Sequence, residues 1–363
     1  MKRILVAPLD WGLGHATRCI PLIRELQRQD CDIVIGGSGD SLTLLQKEFP
    51  HIPRFSLPAY NPRYPVNGSM ALAMMTQLPH FCQVILGEHR AVAKIINDEK
   101  IDIVISDNRF GCWSKRIPSV FITHQSNIMM PQRFGFLQNV VRKLNERLMN
   151  CFQFCWIPDF PDEASLAGEL IAFGTIATDV RTEFIGWLSR FQNEAYNQSA
   201  KYNVIAVLSG PEPQRTLLER AIVPQLRTSG LKYVVVRGLP SAEPSENEDG
   251  IVNFLGARDL GEYIASSEIV IARSGYSTVM DLMALGSKAI FVPTPGQTEQ
   301  EYLSAKLMSK GIAFAMSQDR FDLATAMKES KNYRGFERTE KNDLLTKAIH
   351  KLLQYHYDFR NVG

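Results

Sequence analysis

"EIVIARSGYSTVMDLMALGSKAIFVPT", Glu268 to Thr294, decides the fold of this chain. An apolar run ends in Arg273-Ser274-Gly275, a helical stretch follows, Gly286 stops it, and a second apolar run starts after Lys288. Short continuous apolar runs on either side of a helix are strands of a parallel sheet, buried on both faces. The glycine turn leaves the backbone N–H groups of Ser274, Gly275 and their successors at a helix N-terminus. Unpaired donors and the helix dipole favour an anion there, a diphosphate included. Arg273 adds a cation nearby, and Asp281, six residues past Gly275, is a carboxylate able to accept ribose hydroxyls.

The same punctuation repeats outward. "VIAVLSG" and "YVVVRG" are strands upstream, and "LSGPEPQR" (Leu208 to Arg215) is a second glycine turn offering Ser209 and Gly210. Pro211 and Pro213 remove donors from that loop. Downstream, "PTPGQTEQEY" precedes a helix whose start carries Gln300 and Glu301, suited to sugar hydroxyls. Each of these residues alone reads equally well as a cap or a solvated side chain; together they share one rim of one sheet. In the first half, "RILVAP", "DIVIGGSG", "DIVISD" and "SVFITH" are strands, with "ATRCIPLIRELQRQ" an amphipathic helix. A polar stretch separates the halves. The pattern predicts an α/β chain of two doubly wound Rossmann-like domains facing a central cleft, where ligands meet the carboxyl ends of the strands. The boundaries expected are 1–190, a linker 191–203, 204–337, and a terminal helical segment 338–363 able to pack back on the N-terminal domain. "LPSAEPSENEDG" (Leu239 to Gly250) reads as a polar loop.

"DWGLGHATRC", Asp10 to Cys19, follows the first strand. Its G-x-G-H spacing is not the dinucleotide G-x-G-x-x-G, and no acidic residue closes the second strand, which argues against a nicotinamide cofactor. In a strand order 3-2-1-4-5, strands one and four are neighbours. His15 and Asp107 then approach although 92 positions separate them. A carboxylate beside a histidine holds its tautomer and stabilises the imidazolium. Asp107 could instead cap the next segment or pair with Arg109 or Arg116. Gly12, Gly14 and Arg18 share this rim, and "THQSN" brings His124 and Asn127 to it. His124 reads as a second base or, preferably, as a hydrogen-bonding wall residue.

Bulk properties narrow the classes. The 363 residues carry a formal charge of +2, with basic and acidic residues nearly balanced in each half, so no nucleic-acid partner is expected. The window Arg109 to Arg147 is the exception, with seven basic residues against Glu146 alone. Six cysteines, none beyond Cys155, form no zinc-ligand set. No apolar run approaches the roughly 18 residues of a membrane span, and the N-terminus lacks a signal-peptide core. A cytoplasmic protein is expected. "FGFLQNVVRKLNERLMNCF" aligns Leu137, Val140, Val141, Leu144 and Leu148 on one helical face, with Arg142, Lys143 and Arg147 beside it. That pattern suits either an anionic membrane surface or a core-facing helix with a basic edge. The methionine-rich "NGSMALAMMTQLPHFCQVI" is an adaptable acceptor wall or core.

The block Asn253 to Gly311 resembles the nucleotide-sugar-binding domain of MurG-like glycosyltransferases, glycosyltransferase family 28. "DWGLGHATRC" resembles their N-terminal glycine-rich loop, and "RIPSVFITHQSN" the stretch ending their fifth strand. The region from about Leu57 to Lys100 has no clear counterpart. The resemblance implies the two-domain GT-B fold, an acceptor-side N-terminal domain, inversion at the anomeric carbon, a UDP-sugar substrate, and neither cofactor nor catalytic metal. By position it implies that Arg273 and Gly275 meet the diphosphate, Asp281 the ribose, where the family commonly has glutamate, and Leu255 the base. Gln300 would contact the sugar. Glu301 and Ser304 stand where the family has glutamine and asparagine, so N-acetylglucosamine or another hexose is expected as the donated group. The implied reaction is displacement of UDP by a glycan or lipid-linked hydroxyl, with His15 as base and Asp107 orienting it, at or near the inner membrane face. The pattern Gly12, Gly14, His15, Arg18 also resembles that of nucleotide-sugar hydrolases. A hydrolase, a 2-epimerase and a non-catalytic UDP-sugar-binding protein are the alternatives.

Overall fold

The structure is a computed structural model and describes residues 1–66, 70–125, 135–136, 138–161, 165–171, 180–192, 194–196, 199–243, 250–338 and 342–355. The first sheet contains β1 (Arg3–Pro8), β2 (Asp32–Gly37), β3 (Arg54–Ser56), β4 (Ile103–Asp107), β5 (Ser119–Ile122), β6 (Phe154–Ile157) and β7 (Arg181–Phe184). All pairs are parallel, in the order β3-β2-β1-β4-β5-β6-β7. Its helices are α1 (Gly14–Arg28), α2 (Gly39–Glu48), α3 (Met70–Thr76), α4 (Leu78–Glu99) and α5 (Gln138–Met149). The second sheet contains β8 (Tyr202–Val207), β9 (Tyr233–Val236), β10 (Ile251–Val252), β11 (Ser267–Ala272), β12 (Ala289–Phe291) and β13 (Phe314–Ala315), ordered β10-β9-β8-β11-β12-β13. Around it lie α6 (Gln214–Thr228), α7 (Ala257–Ala265), α8 (Tyr276–Leu285), α9 (Thr298–Ser309) and α10 (Leu323–Glu329); α11 (Leu344–Gln354) follows.

Each order reverses beside its first strand, and ligands of doubly wound sheets bind at that switch point. The β1–β4 register sets Pro8 against Asp107, which places the last residue of β4 beneath the loop that carries His15. Ile4, Leu5, Ile105 and Val104 are fully buried, each worth about 1.5–3 kcal/mol against exposure, so this register is strongly held.

The five strands β3, β6, β7, β10 and β13 go beyond those the apolar runs mark. Most are two to four residues long, and β7 carries Arg181 and Glu183, so no run stands out. The terminal helix begins at Leu344, not at Arg338, and packs on α1 and β7 of the first sheet. Thr346 Oγ1 donates to Glu25 there at 2.7 Å. The segment 57–100, which had no counterpart by resemblance, is anchored by a buried polar network. Arg109 donates to Pro8 O, Pro58 O, Ser38 Oγ and Glu88 Oε1, the last at 2.7 Å, and Tyr60 Oη donates to Glu88 at 3.0 Å. Arg109 is therefore committed to Glu88 on α4, and Arg116 is exposed; neither is the partner of Asp107.

Candidate active site

The carboxyl edges of the two sheets enclose a cavity of about 160 Å³. Two glycine loops face each other across it. Gly12 has φ +83° and Gly210 φ +101°, and a side chain on Gly12 would come within 3.8 Å of Gly210 Cα. Gly14 serves a different need. A Cβ there would lie 3.2 Å from Ser277 Oγ, and that hydroxyl donates to Gly14 O at 2.8 Å. One glycine makes the turn and the other lets the domains touch. Neither α1, with Leu13 at its N-cap, nor α8, with Gly275, has a side-chain cap, whereas Asp322 caps α10 through Thr325 N at 2.8 Å. At these two helix ends facing the cleft the N-cap residue itself therefore satisfies none of the free N–H groups.

His15 and Asp107 do meet, at 3.1 Å from Nδ1 to Oδ1. The pair is not alone. Arg18, fully buried, donates Nε to Asp107 Oδ2 at 2.6 Å, donates NH2 to Oδ1, and donates NH1 to His124 Nδ1 at 2.7 Å; NH2 also lies 2.9 Å from His15 Nδ1. Burial alone would raise the Asp107 pKa, but Arg18 and then His15 outweigh it and hold the carboxyl well below its usual range. Burial lowers the His15 pKa below 6.5; Asp107 offsets part of that, and Arg18 adds to the lowering. His15 Nδ1 faces both an acceptor, Asp107, and a donor, Arg18; in the tautomer with the proton on Nδ1 toward Asp107, the neutral imidazole leaves Nε2 free as a general base. Arginine only donates, so His124 Nδ1 must accept and its proton sits on Nε2. Both nitrogens of His124 are thus assigned away from base chemistry. Its ring stacks on Tyr276, centroids 4.2 Å apart at 17°.

Of the candidates read from the sequence, Gly12, Gly14, His15, Arg18, His124, Ser209, Gly210, Leu255, Gly275, Asp281 and Gln300 line this cavity. Asp107 stands behind it. Asn127 lies outside the described residues. Arg273 is a correction: it is fully buried and does not line the cavity. It donates to Val292 O, Pro293 O, Gln214 O and Gln318 Oε1, tying three loops together, and burial lowers its pKa to about 9. Ser274 is also turned inward, donating to Gln300 O at 2.7 Å. Glu301 leaves the cleft and accepts from Gly296 N at 2.8 Å, bracing its own loop. Gln300 Oε1 accepts from Thr294 N at 2.8 Å. Asp281 lines the cavity, but its carboxylate accepts from Ser189 Oγ at 2.8 Å and Arg190 Nε at 3.0 Å. Burial raises its pKa against those partners.

Glu299 is the residue that the sequence reading passed over. It lines the cavity, and its Oε1 lies 3.3 Å from His124 Nε2 in the opposite domain. Burial would raise its pKa, but His124, then His15 and the Tyr276 backbone N–H, reverse this and lower it. Glu299, Gln300 and Glu301 are consecutive in the first turn of α9, about 100° apart around the axis. Composition cannot tell which of the three faces the cleft. The one D-x-D triplet, Asp30 to Asp32, lies at the far edge of the first sheet, where Asp32 opens β2 and pairs with Arg3 at 3.4 Å.

Residues 235–352 match the model of the glycosyltransferase family 28 C-terminal domain. An uncharacterized glycosyltransferase of Methanosarcina mazei is 26% identical over 337 residues, 87% of this chain and 86% of the relative. The UDP-N-acetylglucosamine–N-acetylmuramyl-(pentapeptide) pyrophosphoryl-undecaprenol N-acetylglucosamine transferase of Histophilus somni is 24% identical over 88% of this chain and 86% of its own. Among solved structures, the glycosyltransferase SnogD from Streptomyces nogalater superposes with a TM-score of 0.58 at 13% identity, covering 98% of this chain and 96% of that one. Acinetobacter baumannii MurG gives 0.53 at 14% identity, covering 98% of this chain and all of that one. Fold and comparisons define a glycosyltransferase of the GT-B type. More particularly, its C-terminal domain matches glycosyltransferase family 28, and the chain as a whole is similar to MurG.

Proposed function

We propose that this chain transfers a hexose, N-acetylglucosamine or a relative of it, from a UDP-sugar to a hydroxyl of a glycan or lipid-linked acceptor, with inversion and without a catalytic metal. The observation that carries this is His15 on the cavity wall, its Nδ1 on the buried Asp107 carboxylate, across from the N-terminus of α8. In the proposed step the acceptor O–H gives its proton to His15 Nε2. Its oxygen bonds to the anomeric carbon as the bond from that carbon to the β-phosphate oxygen breaks, and UDP leaves with the bonding pair. A positioned base supplies typically 10²–10⁴-fold. Charge developing on the leaving diphosphate is met by the N–H groups opening α8, since Arg273 is spent elsewhere.

The acceptor reading is supported by the surface of the N-terminal domain. Val140 and Leu144 of α5 are 62% and 53% exposed and Phe136 before it is 77% exposed, while Asn145 and Met149 face inward. The apolar ridge thus points to solvent, with the exposed Lys143 and Arg147 alongside, and a core-facing α5 is ruled out for these positions. Val141 and Leu148 are half-buried, and Leu137 lies outside the described residues. An apolar ridge edged with cations suits an anionic lipid surface, where a lipid-linked acceptor resides. Among the described residues no helix is long and apolar enough to cross a membrane.

The test is UDP release from purified protein over a panel of UDP-sugars, with and without a membrane lipid extract. Release that needs the extract supports the transferase. Release without any acceptor moves the reading to a hydrolase, with His15 activating water. Liposome flotation with and without anionic lipid tests the membrane contact, and recovery with neither removes it.

A further inference from the structure

The cavity onto which the α8 N-terminus opens already holds an anion of the chain itself, Glu299. Gly275 caps α8 with no side chain, and Tyr276, the first helical residue, lines the same cavity wall as Glu299. Glu299 reaches this place from the first turn of α9. On its other side stands His124, 6% exposed, on the wall of the same cavity. The Nε2–H of His124 is 3.3 Å from Glu299 Oε1 but not aligned on it, and it is a buried nitrogen with no hydrogen-bond partner. Its direction is fixed from behind, because Arg18 NH1 claims Nδ1 and Tyr276 stacks on the ring. A buried N–H held in place without an acceptor costs about 1–3 kcal/mol unless something meets it.

We propose that Glu299 keeps the seat of the donor's diphosphate in the free protein, and that the incoming diphosphate displaces it and accepts from His124 Nε2–H and the α8 N-terminus. This rests on the nucleotide-sugar reading of the cleft. The exchange needs no proton transfer. The ionised Glu299 gives way, the ionised diphosphate accepts from the two donors, and the cavity enlarges as Glu299 swings away. His124 becomes a catalytic residue by this account, since it touches the leaving group. Arg18 is a positioning residue that sets its tautomer. The carboxylate also disfavours any state in which a diphosphate and Glu299 share the seat, because like charges at that distance repel in a buried site.

Calorimetric titration of the purified full chain with UDP, without a sugar, tests this. Glu299→Gln removes the competing charge and keeps the shape. It is expected to bind UDP about tenfold more tightly, the equivalent of one charge-assisted hydrogen bond no longer contested. His124→Phe keeps the stack on Tyr276 and loses the donor, and is expected to weaken UDP by about tenfold. The double variant should return near the wild-type value. Unchanged or weaker UDP binding by Glu299→Gln overturns the proposal; if UDP-sugar binding alone falls, Glu299 reads a sugar hydroxyl instead. If the same gain and loss appear with dTDP or GDP but not UDP, the seat stands and the uridine reading falls. No binding of any nucleoside diphosphate overturns both.

Discussion

Asp107→Asn separates the structural from the chemical role of the dyad. The carboxylate is fully buried, accepts from Arg18 Nε at 2.6 Å and from Arg18 NH2, and lies 3.1 Å from His15 Nδ1. Asparagine keeps one oxygen and turns an NH₂ toward donors. Two charge-assisted bonds are lost at about 1.5–3 kcal/mol each, and Arg18 is left buried without a counter-charge. Removing one partner of a buried pair costs about 3–5 kcal/mol, so both routes reach the same range. In a domain of this size that lowers the melting midpoint by about 6–20 °C. His15→Ala, by contrast, removes a side chain still 15% exposed, and its loss should stay near about 1 kcal/mol. Adding Arg18→Met to Asp107→Asn removes the orphaned cation and should recover much of the midpoint, a non-additivity expected of contacting residues. The sign with pH follows from the depressed Asp107 pKa. Its contribution is whole above the ordinary carboxylate value and is lost only as pH falls through the lower folded-state value. Differential scanning calorimetry at pH 7 on the three variants is the assay. A midpoint drop under about 3 °C for Asp107→Asn, or strict additivity in the double variant, would refute the reasoning.

Other outcomes follow from the same geometry. His15→Gln should lose about 10²–10⁴-fold in kcat while UDP affinity, measured by titration, stays within about twofold. The acidic limb of the kcat/KM profile should rise with pH through a midpoint below 6.5, because burial and Arg18 lower the His15 pKa; a midpoint above 7 contradicts the base assignment. Gly14→Ala sets a Cβ 3.2 Å from Ser277 Oγ and should raise the donor KM several-fold by parting the domains, and Ser277→Gly in the same chain should restore it. Replacing Phe136, Val140 and Leu144 by serine should abolish flotation with anionic liposomes and leave turnover on a soluble acceptor unchanged.

Much of the architecture is legible in short apolar runs. Buried parallel strands need continuous apolar residues, and glycine turns mark where they end, so β1, β2, β4, β5, β8, β9, β11 and β12 follow from local pattern. The adjacency of β1 and β4 in doubly wound topology carries His15 to Asp107, and here the register delivers it. What fails is any assignment that depends on where a long side chain ends. Arg273 stands beside the expected anion seat in sequence, yet its guanidinium reaches carbonyls of Gln214, Val292 and Pro293, which only folding brings together.

Glu299 and Glu301 show the same limit within one turn. Both are acidic, two residues apart; one enters the cleft beside His124 and the other braces Gly296. Arg18 reads as a rim residue beside His15, and tertiary packing makes it the buried hub of Asp107, His15 and His124. The sequence by itself determines the strands, the turns and the residues near each turn, because backbone preference and burial period act over a few neighbours. Which of those residues meet one another is decided by the tertiary structure alone. Hydrogen-bond partners lie on separate loops, and the direction of a side chain is set by the packing that encloses it.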